Sequence, residues 1–467
     1  MNVWGGSLSP DLYRGFQRVL IVQNRIETAL EVGEQGRIKA FEQWLDSHEC
    51  RATGFAEPIA SPNIRAIAQM AARTQTTLIE YSLVYDYDLF NQNPWIDKGF
   101  DRLYGYATEL YIWVVPPQGK VQFRRIYLEK IYQEYGVSLA GLVRNLRKAI
   151  ARQCDPSRID DEGKTGLDLP DLLAILYQIL IEPIAPWLPD DPSRRVSVIP
   201  QDFLFLVPFA ALTDRQGRPL IEKHTLLLAP AIETLGLPQA PGRSPQPTRS
   251  RCALVVGSVN MPRVVLEFGE PPLQLPPLRD SETEALAIAD FLNVEAFAGD
   301  RATKNAVLQQ WPDAAIVHLA TPVFVEDTQG LSETIALSPD RRHNGLCRIW
   351  ELFAPTPGST RGRDNPELLV LSGCDPKPGR LQGHHFFWLC WSAIAAGIPS
   401  LLLSSWRPPQ GSTTPLLLDF YREWQSAGDR AIALRLASLA ARERNADLAH
   451  WAAFVLVESA NGGDCTK

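Results

Sequence analysis

From residue 251 onward, short apolar runs alternate with helical patterns, and that alternation constrains the fold of this chain more tightly than any other feature. Strand patterns at 253–256, 294–297, 315–319, 334–337, 367–371 and 400–404 are interleaved with helical patterns at 281–292, 303–310, 349–353, 385–396 and, as two helices, 413–444. Such interleaving demands crossover connections. The expected fold class is therefore α/β, a mostly parallel sheet with helices on both faces, whose ligands sit at the carboxyl ends of the strands. Two of these ends carry chemistry. One run reads Val317-His-Leu-Ala-Thr-Pro-Val-Phe324, and the other reads Glu367-Leu-Leu-Val-Leu-Ser-Gly-Cys374-Asp-Pro376. A cysteine delivered to a strand end is a candidate nucleophile, but a free thiol has a pKa near ~8.5 and needs a base or a positive field to become thiolate at neutral pH.

Composition bounds the function. With 467 residues, 45% of them hydrophobic, the chain can bury large cores and is expected to hold two or three domains. A net charge of -7 argues against a nucleic-acid partner, because a phosphate-binding face needs an excess of Lys and Arg. No apolar stretch approaches the roughly 20 residues that span a bilayer, and the first residues do not read as a leader, so no membrane partner and a cytoplasmic location are expected. The seven cysteines are scattered and contain no CxxC pair, which speaks against a disulfide framework. No cofactor is expected: Gly257-Ser-Val-Asn260 follows a strand but lacks the GxxxxGK[ST] of a phosphate loop. Cys374, His384, His385 and Cys390 offer zinc-type donors at a spacing that matches no standard ligand pattern, so no metal is expected either.

The region before residue 251 is organised differently. Residues 12–49 carry apolar positions at helical spacing and no proline, implying two packed helices; the stretch Glu31-Val-Gly-Glu-Gln-Gly-Arg-Ile-Lys-Ala-Phe41 resembles the last helix pair of a tetratricopeptide array. One pair cannot form an array, since such repeats need about three copies to bury a continuous core. A helix at 64–73, a strand at 77–84 and a hairpin of 109–115 with 121–126 follow, then helical patterns at 128–153 and 169–188, a strand at 196–200 and the apolar run 203–212. Residues 238–250, rich in Pro, Ser and Arg, read as a linker. The expected domains are a helical segment at 1–60, a first half at 61–237, the linker at 238–250 and a second half at 251–460.

A set of motifs in this order, from Tyr81-Ser-Leu-Val84 and Glu109-Leu-Tyr-Ile-Trp-Val-Val115 through Ile199-Pro-Gln-Asp-Phe-Leu-Phe-Leu-Val-Pro-Phe-Ala-Ala-Leu212, resembles the CHAT domain family. Leu220-Ile-Glu-Lys-His-Thr225, His318-Leu-Ala-Thr321, Leu371-Ser-Gly-Cys374, Ala396-Gly-Ile-Pro-Ser400, Phe420-Tyr421 and Trp451-Ala-Ala-Phe454 extend the resemblance to about residue 460. That family is related to caspases and separases and often follows tetratricopeptide repeats, notably in cyanobacteria. The resemblance implies a caspase-like α/β fold for residues 251–460, preceded by a caspase-like half at 61–237 without a catalytic pair and by the short helical segment. It also implies that Cys374 stands at the nucleophile's position.

Against that pattern, the departures are consistent. Where active members end the first strand in Ala-Thr-His-Gly, the histidine being the base, this chain has Ala320, Thr321, Pro322 and Val323. Proline cannot accept a proton and donates no N–H. His318 matches a different family histidine, and four residues along a strand displace a side chain by about 13 Å. The Gly-Asp-Gly of active members corresponds to Gly383, His384 and His385, and an acid after the family's Leu-Trp corresponds to Gln410 in Ser405-Trp-Arg-Pro-Pro-Gln410. The expected cleft comprises Thr321, Val323, Gly373, Asp375, Trp406 and Gln410. The leading expectation is a pseudoprotease acting through a protein or peptide partner. The competing one is an active cysteine endopeptidase in which His384 or His385 has taken over as base for Cys374.

Overall fold

The structure, a computed structural model, describes residues 10–47, 63–85, 107–155, 167–236, 252–258, 260–265, 271–278, 280–324, 334–353, 365–374 and 383–459. The 238–250 linker expected from composition lies outside them. In the first half the strands are β1 (Thr77–Tyr85), β2 (Ala107–Val115), β3 (Gln122–Tyr127), β4 (Arg195–Ile199) and β5 (Thr225–Leu228). The second half contributes β6 (Cys252–Gly257), a small ribbon of β7 (Arg263–Val264) and β8 (Leu273–Gln274), then β9 (Ala296–Ala298), β10 (Ala314–Phe324), β11 (Thr334–Ala336), β12 (Leu346–Arg348), β13 (Leu368–Cys374), β14 (Ser400–Ser404) and β15 (Phe454–Glu458). The longer helices are α1 (Pro10–Val22), α2 (Ile26–Ser47), α3 (Ile64–Thr74), α4 (Leu139–Cys154), α5 (Leu169–Leu180), α6 (Ser281–Phe291), α7 (Gly383–Ala395), α8 (Thr413–Ala427) and α9 (Arg430–Arg444).

One sheet of 13 strands runs through both halves, in the order β12-β11-β10-β13-β14-β15-β5-β4-β1-β2-β3, with β6 also on β10 and β9 on β6. The interior of the second half is parallel, β6, β10, β13 and β14 in succession, as buried strands joined by helical crossovers require. The strand that joins the halves, β15, has no counterpart among the strands expected from sequence. It lies antiparallel to β14 and meets β5 in parallel through Val457 and Leu228. Ion pairs reinforce this seam: Arg195 on β4 reaches Asp429 at 2.6 Å and Glu458 at 3.3 Å, and Arg430 on α9 reaches Glu458 at 3.4 Å.

Side-chain alternation along β10 and β13 divides the core into two layers. Val317, Leu319, Leu369 and Leu371 face one layer, shared with Phe386, Leu389 and Trp391 of α7. Ile316, Ala320, Leu368 and Val370 face the other, shared with Ile288 of α6 and Phe420 and Tyr421 of α8. The N-terminal helix pair is a third packed unit: Leu20, Ile21, Ala29 and Leu30 bury against Ile67 of α3 and Leu78, Val84 and Trp113 of the sheet. Gly36 lets α1 cross α2 closely, since an added Cβ would lie 2.8 Å from the Cβ of Tyr13.

Candidate functional site

The two strand ends singled out by their chemistry lie side by side. β10 and β13 are parallel neighbours, in register so that Pro322 sits beside Gly373 and Val323 beside Cys374. The register slips between Leu319 and Pro322, where β10 carries one residue more than β13, so the position expected to hold a base falls at a bulge. Pro322 is buried there. Thr321 is buried too, its hydroxyl donating to the carbonyl of Ala336 on β11. Gly373 is the residue this close approach demands: a Cβ would fall on the Thr321 carbonyl and 2.9 Å from Cδ2 of Leu278.

Cys374 is fully buried, within the layer that contains Val323, Phe386, Cys390 and Trp391. Its amide N–H donates to Oγ of Ser404 at 3.0 Å, and that hydroxyl in turn lies 3.0 Å from the Ser372 carbonyl and 3.3 Å from that of Cys374. Ser404, from the neighbouring β14, thus fixes the backbone of the cysteine. No reading of the sequence had flagged it, although a serine closing the Leu401-Leu-Leu403 run is where such a bond would be made. Burial pushes the thiol of Cys390 well up, and the adjacent Cys374 adds to the effect, so α7 presents a neutral thiol to Cys374.

The upstream histidine is committed elsewhere. His318 belongs to the opposite face of β10 and is fully buried, with Nε2 3.0 Å from Oε1 of Glu284 on α6 and Nδ1 3.0 Å from the hydroxyl of Tyr421 on α8. Burial, with Glu284 nearby, raises the Tyr421 hydroxyl above its ordinary pKa of 10, so it stays protonated and can donate to the ring. This Glu–His–Tyr bridge ties two helices to the central strand, a role that the expected displacement of His318 from the strand end accommodates. His384 and His385 belong to the first turn of α7; their side chains, like Asp375, lie outside the described residues.

The remaining expected cleft residues separate. Trp406 does not line a groove beside Cys374: it is buried in the other layer, its indole N–H donates to the carbonyl of Ala449 at 3.1 Å, and the guanidinium of Arg147 from α4 lies 5.2 Å from its ring centroid. The physical reason is that a large ring with one donor finds both cover and an acceptor between α4 and the helical turn Leu448–Trp451. Gln410 does face an open groove, shared with Asp280, Thr283, Asp419, Arg422 and Arg444, and its amide donates to Oδ1 of Asp280 at 3.1 Å. Asp280 also accepts from the Gly411 N–H at 2.8 Å. Among the described residues no group of three or more His, Cys, Asp or Glu side chains is arranged to hold a metal ion, and no helix is long and apolar enough to cross a membrane.

A mixed α/β protein with a mostly parallel central sheet and a cysteine at a strand end is the class that fold and site define. The chain belongs to the CHAT domain family, whose match covers residues 170–459 and so extends across the 238–250 segment. It is 25% identical over 338 residues to tetratricopeptide repeat protein 28 of Mus musculus and 24% identical over 333 residues to its counterpart in Homo sapiens. These matches cover 63% and 62% of this chain but only 13% of either relative, so the chain corresponds to a small part of their length. Two crystal structures of the Saccharomyces cerevisiae separase–securin complex also resemble it, at 10% and 8% identity, covering 98% and 94% of this chain and 36% and 34% of theirs, with TM-scores of 0.47 and 0.39. Those superpositions are too loose to bear on the site.

Proposed function

We propose that this protein is a caspase-like pseudoprotease of the cytoplasm, which keeps the nucleophile's position but works by binding a protein or peptide partner as a scaffold, regulator or decoy. The observation that carries this reading is the pairing of Pro322 with Gly373 and of Val323 with Cys374. At the place beside the cysteine where a base would have to stand there is a ring without a titratable group, and the glycine that would give a substrate backbone room is a buried valine. The thiol itself is fully buried and faces apolar side chains, an environment that disfavours the thiolate.

The test uses an electrophilic peptide ending in Arg or Lys, incubated with the purified full chain. The expected result is no covalent labelling of Cys374, with reactivity appearing only in a Pro322→His/Val323→Gly double variant. Labelling of the unaltered protein that disappears in Cys374→Ala and in a His384→Ala/His385→Ala double variant would overturn the proposal and assign an active peptidase with a relocated base.

A further inference from the structure

We infer that α2 is a brace for α7, holding in place the helix that seals Cys374, so that the thiol becomes reachable when α2 lifts from its seat. The first ground is the composition of α7. Phe386, Phe387, Leu389, Cys390, Trp391 and Ile394 are all buried, and Trp388 is half-buried, so the helix is apolar on nearly every side. A helix of that kind needs cover on two sides. The sheet gives one, through the layer that contains Cys374; the aromatic side chains of α2, together with Phe205 set 5.5 Å from Phe387, give the other.

The second ground is the contact itself. Phe41 of α2 stacks on Trp391 with ring centroids 4.6 Å apart and planes 19° from parallel. Trp44 stacks on Trp388 at 5.6 Å and 14°, and on Phe41 at 6.0 Å and 12°. Phe387 closes the cluster edge-on to Trp391 at 5.2 Å. Stacked pairs of this kind contribute about 0.5–1.5 kcal/mol each beyond the area they bury, and they are lost together if α2 moves. Cys390, next to Trp391 on α7, lies against Cys374. Aromatic stack, helix and cysteine therefore form one packed column from α2 to the strand end.

The third ground is that α2 is seated by its own polar anchors. Arg37 donates to the carbonyls of Pro200 and Tyr81, both at 2.6 Å, and Glu34 accepts from the N–H of Ile232 at 2.7 Å. A buried polar seat is satisfied in one register only, so α2 is either docked with the column intact or undocked with it broken. Neither anchor residue of α2 falls within the stretch that matches the CHAT family, residues 170–459, so the brace is supplied from outside it.

The inference rests on the functional reading only in making Cys374 the thiol of interest. Its test therefore uses a small thiol reagent that requires neither a peptide cleft nor a base. The full chain, Phe41→Ala, Phe41→Leu and Trp44→Ala are treated with N-ethylmaleimide under native conditions, and the modified cysteines are located by peptide mass spectrometry. In the two alanine variants Cys374 and Cys390 should label roughly tenfold faster or more, as expected when a local opening becomes cheaper by 1.4 kcal/mol. Cys347, buried on β12 three strands from β13 in the sheet, should keep its slow rate, and Phe41→Leu, which keeps apolar cover but loses the stacks, should label Cys374 at a rate between the unaltered protein and Phe41→Ala. Unchanged labelling of Cys374, or an equal gain at all three cysteines, would overturn the brace. Either outcome leaves the peptide-labelling result standing on its own.

Discussion

Arg37 offers the sharpest test of how the N-terminal helices are held. It is buried, with Nε 3.4 Å from Oε1 of Glu34 and 3.6 Å from Oε1 of Glu80 on β1, while its two terminal nitrogens bond backbone carbonyls. Burial pushes both carboxyls above their ordinary 4.5, Glu80 further because Glu34 stands beside it, and Arg37 opposes the rise at both. Glu233, half-buried next to Glu34, is pushed up to about 7 by its burial and by that carboxylate. Carboxyls whose folded pKa is raised contribute stability that is complete below about 4.5 and is lost as the pH climbs through their folded values. Replacing Arg37 with Met keeps the length of the stem and removes the cation that faces Glu34 and Glu80. At pH 8 the loss should be about 3–5 kcal/mol, the usual cost of stranding a buried charge. At pH 5 the raised carboxyls stand closer to their protonated forms, so the loss should be smaller and approach the about 1–3 kcal/mol of the unpaired carbonyls of Pro200 and Tyr81. Urea unfolding at the two pH values reads the difference directly, and Arg37→Met/Glu80→Gln should recover part of the loss at pH 8. Equal destabilisation at both pH values, or no recovery in the double variant, would refute the electrostatic account.

Three further substitutions probe other joints of the molecule. His318→Phe fills the space but leaves Glu284 and Tyr421 unbridged, and should cost on the order of 3 kcal/mol by chemical denaturation, with Glu284→Gln much milder. Gly373→Ala would drive a methyl group into the Thr321 carbonyl, so β10 and β13 must part at their ends; faster amide exchange at Cys374 than at Leu369 would report it. Glu458→Ala removes the shared partner of Arg195 and Arg430, and should cost about 3 kcal/mol and split a single unfolding transition into two if the seam carries the coupling between the halves.

Much of the second half was legible because its signals are local. Each buried parallel strand is an apolar run of the right length, and two of the helices open on a capping side chain, Thr303 accepting from the N–H of Ala306 and Asp429 from that of Ile432. The strand Phe454-Val-Leu-Val-Glu458 escaped because it follows a short helical turn, and only its partners β14 and β5 show why it must be extended. The displacement of Trp406 was not legible for the same reason: Arg147 and Ala449, which give it its place, are 259 and 43 residues away in sequence. The role of α2 was hidden more deeply. Periodicity identified a helix, and likeness to a repeat suggested a remnant, but the buried triad of Glu34, Arg37 and Glu80 and the stack on α7 depend on residues that no local pattern connects.

On the proposed reading, Pro322 and Val323 act through packing as much as through the absence of a base. Val323 shares the layer of Cys374, Phe386 and Trp391, and is itself almost fully buried, so its side chain fills volume that a glycine would leave empty. Pro322 removes a donor at the bulge, where a backbone N–H would otherwise require an acceptor. Both residues make the strand end more apolar. It follows that Pro322→His/Val323→Gly must reopen a cavity before it can restore a base, at a cost of about 2–4 kcal/mol for the deleted valine side chain. Activity in that variant should therefore rise when α7 is loosened as well, for example by adding Trp44→Ala. Equal activity of Pro322→His/Val323→Gly with the column intact and with it broken would show that the packing of α7 over Cys374 plays no part in limiting it.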